Sequence, residues 1–219
     1  MPDLDFQVEG AEPVPYAASP LLALKLRVTN TVPNEAVHSV MLQCQIRLDV
    51  TCRRYTPEEQ QRMRDLFGPP ERWGHTLRSM LWTQTTALVA PFVGSTVVNM
   101  HVPCTFDFNV AAAKYFHGLD DGEAPLSLLF SGTVFFAGSE DHGSPLQVAQ
   151  ISWEKEATYR LPIKVWKSMM DLYYPNSAWL CLRQDVFDRL ARHKSESGIP
   201  TWEQAIESLL EQAPERVTP

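Results

Sequence analysis

The sequence has no local signature that pairs a nucleophile with a base. It contains no glycine-rich phosphate loop, no HExxH and no CxxC, and Gly132, Gly138 and Gly143 do not sit in a GxSxG elbow. Motif support is therefore missing for nucleotide hydrolysis, zinc-hydrolase, dithiol and serine-hydrolase chemistry. Basic residues are too few to replace phosphate counterions, since the net charge is -7, and this argues against a nucleic-acid partner. No apolar run approaches the roughly 20 residues that span a bilayer. The start, Met1-Pro2-Asp3-Leu4-Asp5, lacks the basic and apolar regions of a signal peptide, so a cytoplasmic protein is expected. Cys44, Cys52, Cys104 and Cys181 are then expected as reduced thiols rather than a disulfide framework. No internal repeat is present.

What remains is apolar enough to fold. Hydrophobic residues make up 44% of the 219, against 21% charged, which supports one large domain or a domain with a small appendage. Leu22, Leu24, Leu26 and Val28 alternate with polar or small neighbours, the period of a half-buried strand. Asn30 to Asn34 supplies a turn. Leu42, Cys44, Ile46, Leu48 and Val50 then face one way, while Gln43, Gln45, Arg47 and Asp49 face the other. Two such strands joined by a turn predict an antiparallel pair with one wet face.

A helix follows over 57–67. Thr56 caps it, Pro57 takes its first position, Glu59 completes a capping box, and Gly68-Pro69-Pro70 stops it. Residues 71–90 mix helix and strand signals, with strand favoured from about Met80 because β-branched residues dominate there. Further strands are expected over Ser95–Val102, Thr105–Val110, Leu126–Phe136, Leu146–Trp153 and Ala157–Ile163. Asp120-Asp121-Gly122 and Gly138 to Gly143 are the turns between them. Near the C-terminus, Val186, Phe187, Leu190 and Ala191 form one helical face, ended by Gly198 and Pro200. Thr201 and Gln204 cap a last helix striped by Trp202, Ile206, Leu209 and Leu210.

The expected fold class is mainly β (α+β). It comprises an extended leader over 1–14, an antiparallel β-sandwich over 15–168 with one inserted helix, and a C-terminal helical segment over 169–212. That segment holds a two-helix tail at 184–195 and 202–212, and 213–219 fray.

Three chemistries deserve weighing. His101 and Cys104, with Cys44, Cys52 or His117, are the candidate metal ligands. Positions three apart on a strand point to opposite faces, so they converge only if Pro103 breaks the strand. The acid pairs Asp120/Asp121, Glu140/Asp141 and Glu154/Glu156 sit at turns or strand ends, where solvated carboxylates are normal. The aromatics are the better candidates. Trp153, Trp179 and Trp202 fall in apolar patterns that suit a core. Trp73 and Trp82 flank the ambiguous segment, and Tyr173 and Tyr174 lie where the strands give way to the tail. Exposed aromatics are common anchors of protein interfaces.

Several runs also carry a family likeness. They are Val102-Pro103-Cys104-Thr105-Phe106-Asp107, Lys114-Tyr115-Phe116, Pro125-Leu126, Phe130-Ser131-Gly132-Thr133-Val134-Phe135, Ile151-Ser152-Trp153 and Tyr174-Pro175-Asn176-Ser177-Ala178-Trp179-Leu180. From about Leu24 to Leu210 the chain resembles an uncharacterised bacterial family, domain-of-unknown-function family 6084. Members are often encoded in actinobacteria beside genes for uptake-type nickel–iron hydrogenases. The resemblance thus implies an accessory role in assembly, maturation or partner binding. The family offers no catalytic residues to carry over.

The functional expectation is a non-enzymatic accessory protein that binds another protein, with no cofactor, no nucleic acid and no membrane insertion. Trp73, Trp82, Tyr173, Tyr174, Trp179 and the wet sheet face are the expected interface. An open sheet edge offers a second route, through strand addition. The alternatives are a metal-handling protein built on His101 and Cys104, and a small-ligand pocket between the sheets.

Overall fold

The computed structural model describes residues 1–105, 110–137, 146–177 and 180–212. They fall into two compact units, one ending at Ser177 and one beginning at Ala178.

The first unit is built on two antiparallel sheets. The smaller has the order β1 (Leu4–Pro13), β2 (Leu21–Asn30), β6 (Ser95–Pro103). The larger runs β4 (Met80–Val89), β3 (Ala36–Leu48), β7 (Glu123–Ala137), β8 (Leu146–Gln150). The short β5 (Phe92–Val93) pairs with the start of β3, and β9 (Glu156–Pro162) pairs with the first half of β7. The fold is thus mainly β, of the α+β class, with antiparallel pairing throughout the described sheets.

The alternations in β2 and β3 dictate the core. Leu22, Leu24, Leu26 and Val28 from one sheet and Leu42, Cys44, Ile46 and Leu48 from the other are buried. These side chains line the space between the two sheets. Phe6 of β1 stacks on Phe130 of β7, with centroids 4.2 Å apart. The sheets also approach at their margins. β4 lies beside β6, where the Thr85 hydroxyl donates to the His101 carbonyl at 2.6 Å, and β1 lies beside β9. The sheet edges thus meet in two places, β4 against β6 and β1 against β9, while β8 ends the strand order of the larger sheet.

The leader is a correction. Leu4, Phe6 and Val8 alternate as any half-buried strand does, and β1 pairs with β2 from Leu4↔Asn30 to Pro13↔Leu22, with a bulge at Glu9. The acidic and proline-rich composition around them hid that period. The sandwich therefore begins at Leu4, not residue 15.

The helices differ as well. The inserted helix is interrupted at Met63 (φ -92°, ψ 4°), giving α1 (Pro57–Arg62) and α2 (Arg64–Phe67). A short α3 (Trp73–Thr76) precedes β4. Val110, expected to end a strand, instead starts α4 (Val110–Gly118), while 106–109 lie outside the described residues. Ala112, Ala113, Tyr115, Phe116 and Leu119 give that segment a helical stripe, and all are buried. The strand expected to reach Ile163 stops at Pro162. There α5 (Ile163–Tyr173) begins and buries Ile163, Trp166, Met169 and Met170 against the rest of the first unit. The boundary expected at 168 therefore falls inside a helix. The turn expected over Gly138–Gly143 and the tail over 213–219 lie outside the described residues.

The second unit is a helical hairpin, α6 (Gln184–Glu196) and α7 (Trp202–Gln212). Gly198, at φ 64°, supplies the left-handed turn that ends α6. The Thr201 hydroxyl accepts from the Gln204 N–H at 3.2 Å and caps α7.

Candidate functional site

The aromatics expected at an interface largely pack inward. Trp82 is only 4% exposed and corrects that assignment. A bulge at Trp82 separates Thr83↔Ile46 from Leu81↔Arg47, and the indole turns inward to sit 5.0 Å from Phe116. Phe116 stacks on Trp166 at 5.0 Å, and His117 meets Trp166 edge-on at 5.1 Å. On the other side Tyr115 contacts Phe116 and Tyr55, and Tyr55 contacts Trp73, which meets Phe67. These ring contacts form one continuous lattice joining α2, α3, α4 and α5 to β4. Such pairs add roughly 0.5–1.5 kcal/mol each beyond area burial. Trp73 is half-buried, and its indole N–H donates to the Gly68 carbonyl at 2.9 Å.

Tyr173 is a clamp. Its hydroxyl donates to the Val14 carbonyl at 2.7 Å and accepts from the Ala17 N–H at 2.9 Å, pinning the end of α5 to the β1–β2 connection. Tyr174 is half-buried against the core, and its N–H donates to the Met170 carbonyl at 2.7 Å. Trp179 lies outside the described residues. Trp153, expected in the core, stands 88% exposed on the turn before β9, because β8 ends at Gln150 and releases it.

The candidate metal ligands are not brought together. His101 is exposed on β6 while Cys104 is buried, and Pro103 does not reconcile their faces. Cys44 is in the core and Cys52 is exposed. Burial pushes both the Cys44 and Cys104 thiols up to about 12, so they are protonated, inert groups near neutral pH. His117 is held below the ordinary imidazole range by burial, with the Lys167 charge adding to it. Among the described residues no three His, Cys, Asp or Glu side chains converge as metal ligands would.

The densest polar chemistry serves structure. Glu59, in the first turn of α1, is 2% exposed. Its Oε1 accepts from Arg53 at 2.6 Å and from the Asp120 N–H at 3.0 Å, and its Oε2 accepts from the Thr56 N–H at 3.1 Å. Arg53 also donates to the Asp121 and Glu123 carbonyls, at 2.8 and 2.9 Å. Asp120 pairs with Arg62. The Asp120/Asp121 pair thus belongs to a tie that fixes the turn before β7. Nearby, the Tyr55 hydroxyl donates to the Val50 carbonyl at 2.6 Å and lies 3.1 Å from the Tyr115 hydroxyl. Burial raises the pKa of both phenols, so neither supplies an ionised group near neutrality.

The surface feature that residue types alone did not reveal lies on the outer face of the larger sheet. Leu88 of β4 pairs with Met41 of β3, and they are 71% and 59% exposed. One step along, Phe135 of β7 pairs with Val148 of β8, and Ala137 pairs with Leu146. Val148 and Leu146 are also exposed. Gln43, Gln45, Gln84, Thr86 and Ser131 continue the same face as uncharged polar surface. Leu81, opposite Arg47, is the exposed member of the Trp73–Trp82 segment. The signal was one of parity: Met41 occupies the register of Gln43 and Gln45, where a solvent-facing strand favours polar residues.

These features define a mainly antiparallel β protein of the α+β class, with a helical layer locked by aromatic rings and an apolar row on an open sheet face. The chain belongs to the family of unknown function DUF6084, whose model matches residues 1–218. Comparison with curated proteins finds no match. Among solved structures, a protein assigned as ApaA from Bordetella pertussis is 16% identical, covers 74% of this chain and 95% of its own, and has a TM-score of 0.27. A beta-glucosidase from Kluyveromyces marxianus is 11% identical over 74% of this chain and 15% of its own, with a TM-score of 0.23. Beta-glucosidase 3B from Thermotoga neapolitana is 9% identical over 73% of this chain and 17% of its own, also at 0.23. Geometry shared at that level carries no functional argument.

Proposed function

We propose that this protein is a non-enzymatic accessory protein that binds another protein through the outer face of its larger sheet. The partner class is the one the family resemblance implies, a nickel–iron hydrogenase component or its maturation intermediate. The observation that carries the reading is a staggered row on that face: Leu88 opposite Met41 on β4 and β3, then, two residues along from Thr133 and Gln150, half-buried Phe135 opposite Val148 on β7 and β8, with Leu146 beyond. Exposed apolar side chains grouped on one sheet face and interspersed with uncharged polar groups suit protein contact. The buried aromatic lattice supports it indirectly, because a rigid sheet presents that row without an ordering cost on binding.

The test is co-expression of the tagged full chain with hydrogenase structural subunits, followed by affinity capture. The wild type should retain a subunit at stoichiometric level. The double variant Met41→Asp/Leu88→Asp should lose it at least tenfold while its melting temperature stays close to wild type. Equal capture by both forms would remove the sheet face from the interaction, and no capture by the wild type would remove the hydrogenase partner.

A further inference from the structure

The larger sheet ends in a strand with one open side. β4 meets β6 at one margin of the sandwich, and β1 meets β9 and α5 at another. β8 pairs with β7, and no strand of the described sheets takes its other side. The register shows which backbone groups stand free there. The Ile151 N–H donates to the Gly132 carbonyl at 3.0 Å, so the Ile151 backbone faces β7. Antiparallel pairing alternates, and Ala149 and Gln147 therefore also turn their N–H and C=O toward β7. Leu146, Val148 and Gln150 turn theirs away from it.

Edges of this kind are ordinarily guarded by charge, proline or a bulge. β8, Leu146-Gln147-Val148-Ala149-Gln150, carries no ionisable side chain and no proline, and its register against β7 runs without a shift. A row of outward donors and acceptors is complemented by another strand, and the sequence of β8 suits a second β8. A two-fold axis through Val148 sets Val148 against Val148 of the other copy, Leu146 against Gln150 and Gln147 against Ala149. All three outward residues then find outward partners, a β-branched pair stands at the axis, and no like charges are opposed. The join continues the strand order β4-β3-β7-β8 into one sheet across both copies. It also closes, because among the described sheets each chain has this one open side, and pairing uses it up.

We infer that β8 is a homodimerisation edge, which pairs antiparallel with β8 of a second copy of this chain about a two-fold axis at Val148. It uses a strand edge rather than the sheet face proposed for partner binding and does not depend on that reading.

Sedimentation equilibrium of the full chain tests it, with circular dichroism and the melting temperature to check the fold. The wild type should weigh twice the 24.8 kDa of one chain. Val148→Pro should weaken self-association about tenfold or more and keep the fold, because the N–H it removes is one that β7 does not use. Val148→Lys and Val148→Glu should each weaken it by about tenfold or more as well, since like charges then meet at the axis. An equimolar mixture of those two should recover the mass of the pair, because opposite charges then face each other across the axis. A wild type that keeps the mass of one chain at about 1 mM would overturn the inference and leave the edge to a foreign strand. Masses that grow beyond two chains, a dimer indifferent to all three substitutions, or a mixture that stays monomeric would also overturn it.

Discussion

Gly132 shows how one position can decide a strand pairing. It lies in β7 opposite Leu42 with φ at 137°, a backbone state that side chains rarely adopt. A Cβ placed there would lie 2.0 Å from the Met41 carbonyl oxygen, so the β3 and β7 backbones would have to separate. Gly132→Ala should cost about 3 kcal/mol or more, measured by urea denaturation, because strain and a backbone clash act together. A loss below about 1 kcal/mol would mean that the sheet accommodates the methyl by a small shift. Burial is equally decisive at Cys44 and Cys104, whose thiols read on paper as candidate ligands. The alternation in β3 already placed Cys44 among the core residues, whereas the face of Cys104 depended on how Pro103 left β6.

At the scale of the element, α1 is the segment whose chemistry was most legible beforehand. Its capping box forms as the spacing of Thr56 and Glu59 requires: the Thr56 hydroxyl accepts from the Glu59 N–H at 3.2 Å while Glu59 reaches back. The sequence did not disclose that the same carboxylate is also the buried partner of Arg53. Two substitutions separate these duties. Thr56→Ala should lose about 1 kcal/mol, the ordinary value of an N-cap. Glu59→Gln should lose about 3 kcal/mol or more, since it also strands the Arg53 guanidinium in a largely buried site. Equal losses in denaturant melts would show that Arg53 is solvated when its partner is neutral. The elements misread beforehand share one cause. β1, α4 and α5 each carry a clear apolar period, but the acidic, alanine-rich or aromatic composition around it masks that period. Trp153 shows the converse. Its apolar neighbours suggested a core strand, yet β8 stops three residues short of it.

At the scale of the first unit as a whole, the two sheets are joined at one margin by Lys155. Its ammonium lies 2.8 Å from Asp3 and 3.0 Å from Asp5, tying the turn before β9 to β1. The hydrogen bond from Lys155 holds the Asp3 carboxyl below its usual range, and the bond to Asp3 raises Lys155. The signs follow from linkage. Asp3 contributes stability above pH 3.8 that is lost as pH falls through its lowered folded value, and Lys155 contributes stability below pH 10.5 that is lost as pH rises through its raised one. The melting-temperature gap between wild type and Lys155→Met should therefore be flat from about pH 5 to pH 9 and should close at both extremes. It should also shrink in high salt, because the carboxylates are exposed. A gap independent of pH would assign the effect to lost packing of the lysine stem.

Local period and turn chemistry determined a good part of this molecule. The core faces of β2 and β3, the cap of α1, the start of β4 at Met80 and the hairpin helices all follow from spacings of two or near 3.6, which act over a few residues and need no distant partner. What only the tertiary structure decided was where the aromatics go and which surfaces stay open. Trp82 is buried because a bulge against β3 turns it toward Phe116, and Tyr173 is a clamp because the β1–β2 connection lies within reach of its hydroxyl. Met41 and Leu88 come to lie diagonally across from Phe135 and Val148 on one face only when β3, β4, β7 and β8 pair in this register. Each outcome depends on residues tens of positions apart meeting in space, and that information resides in the pairing rather than in any one segment.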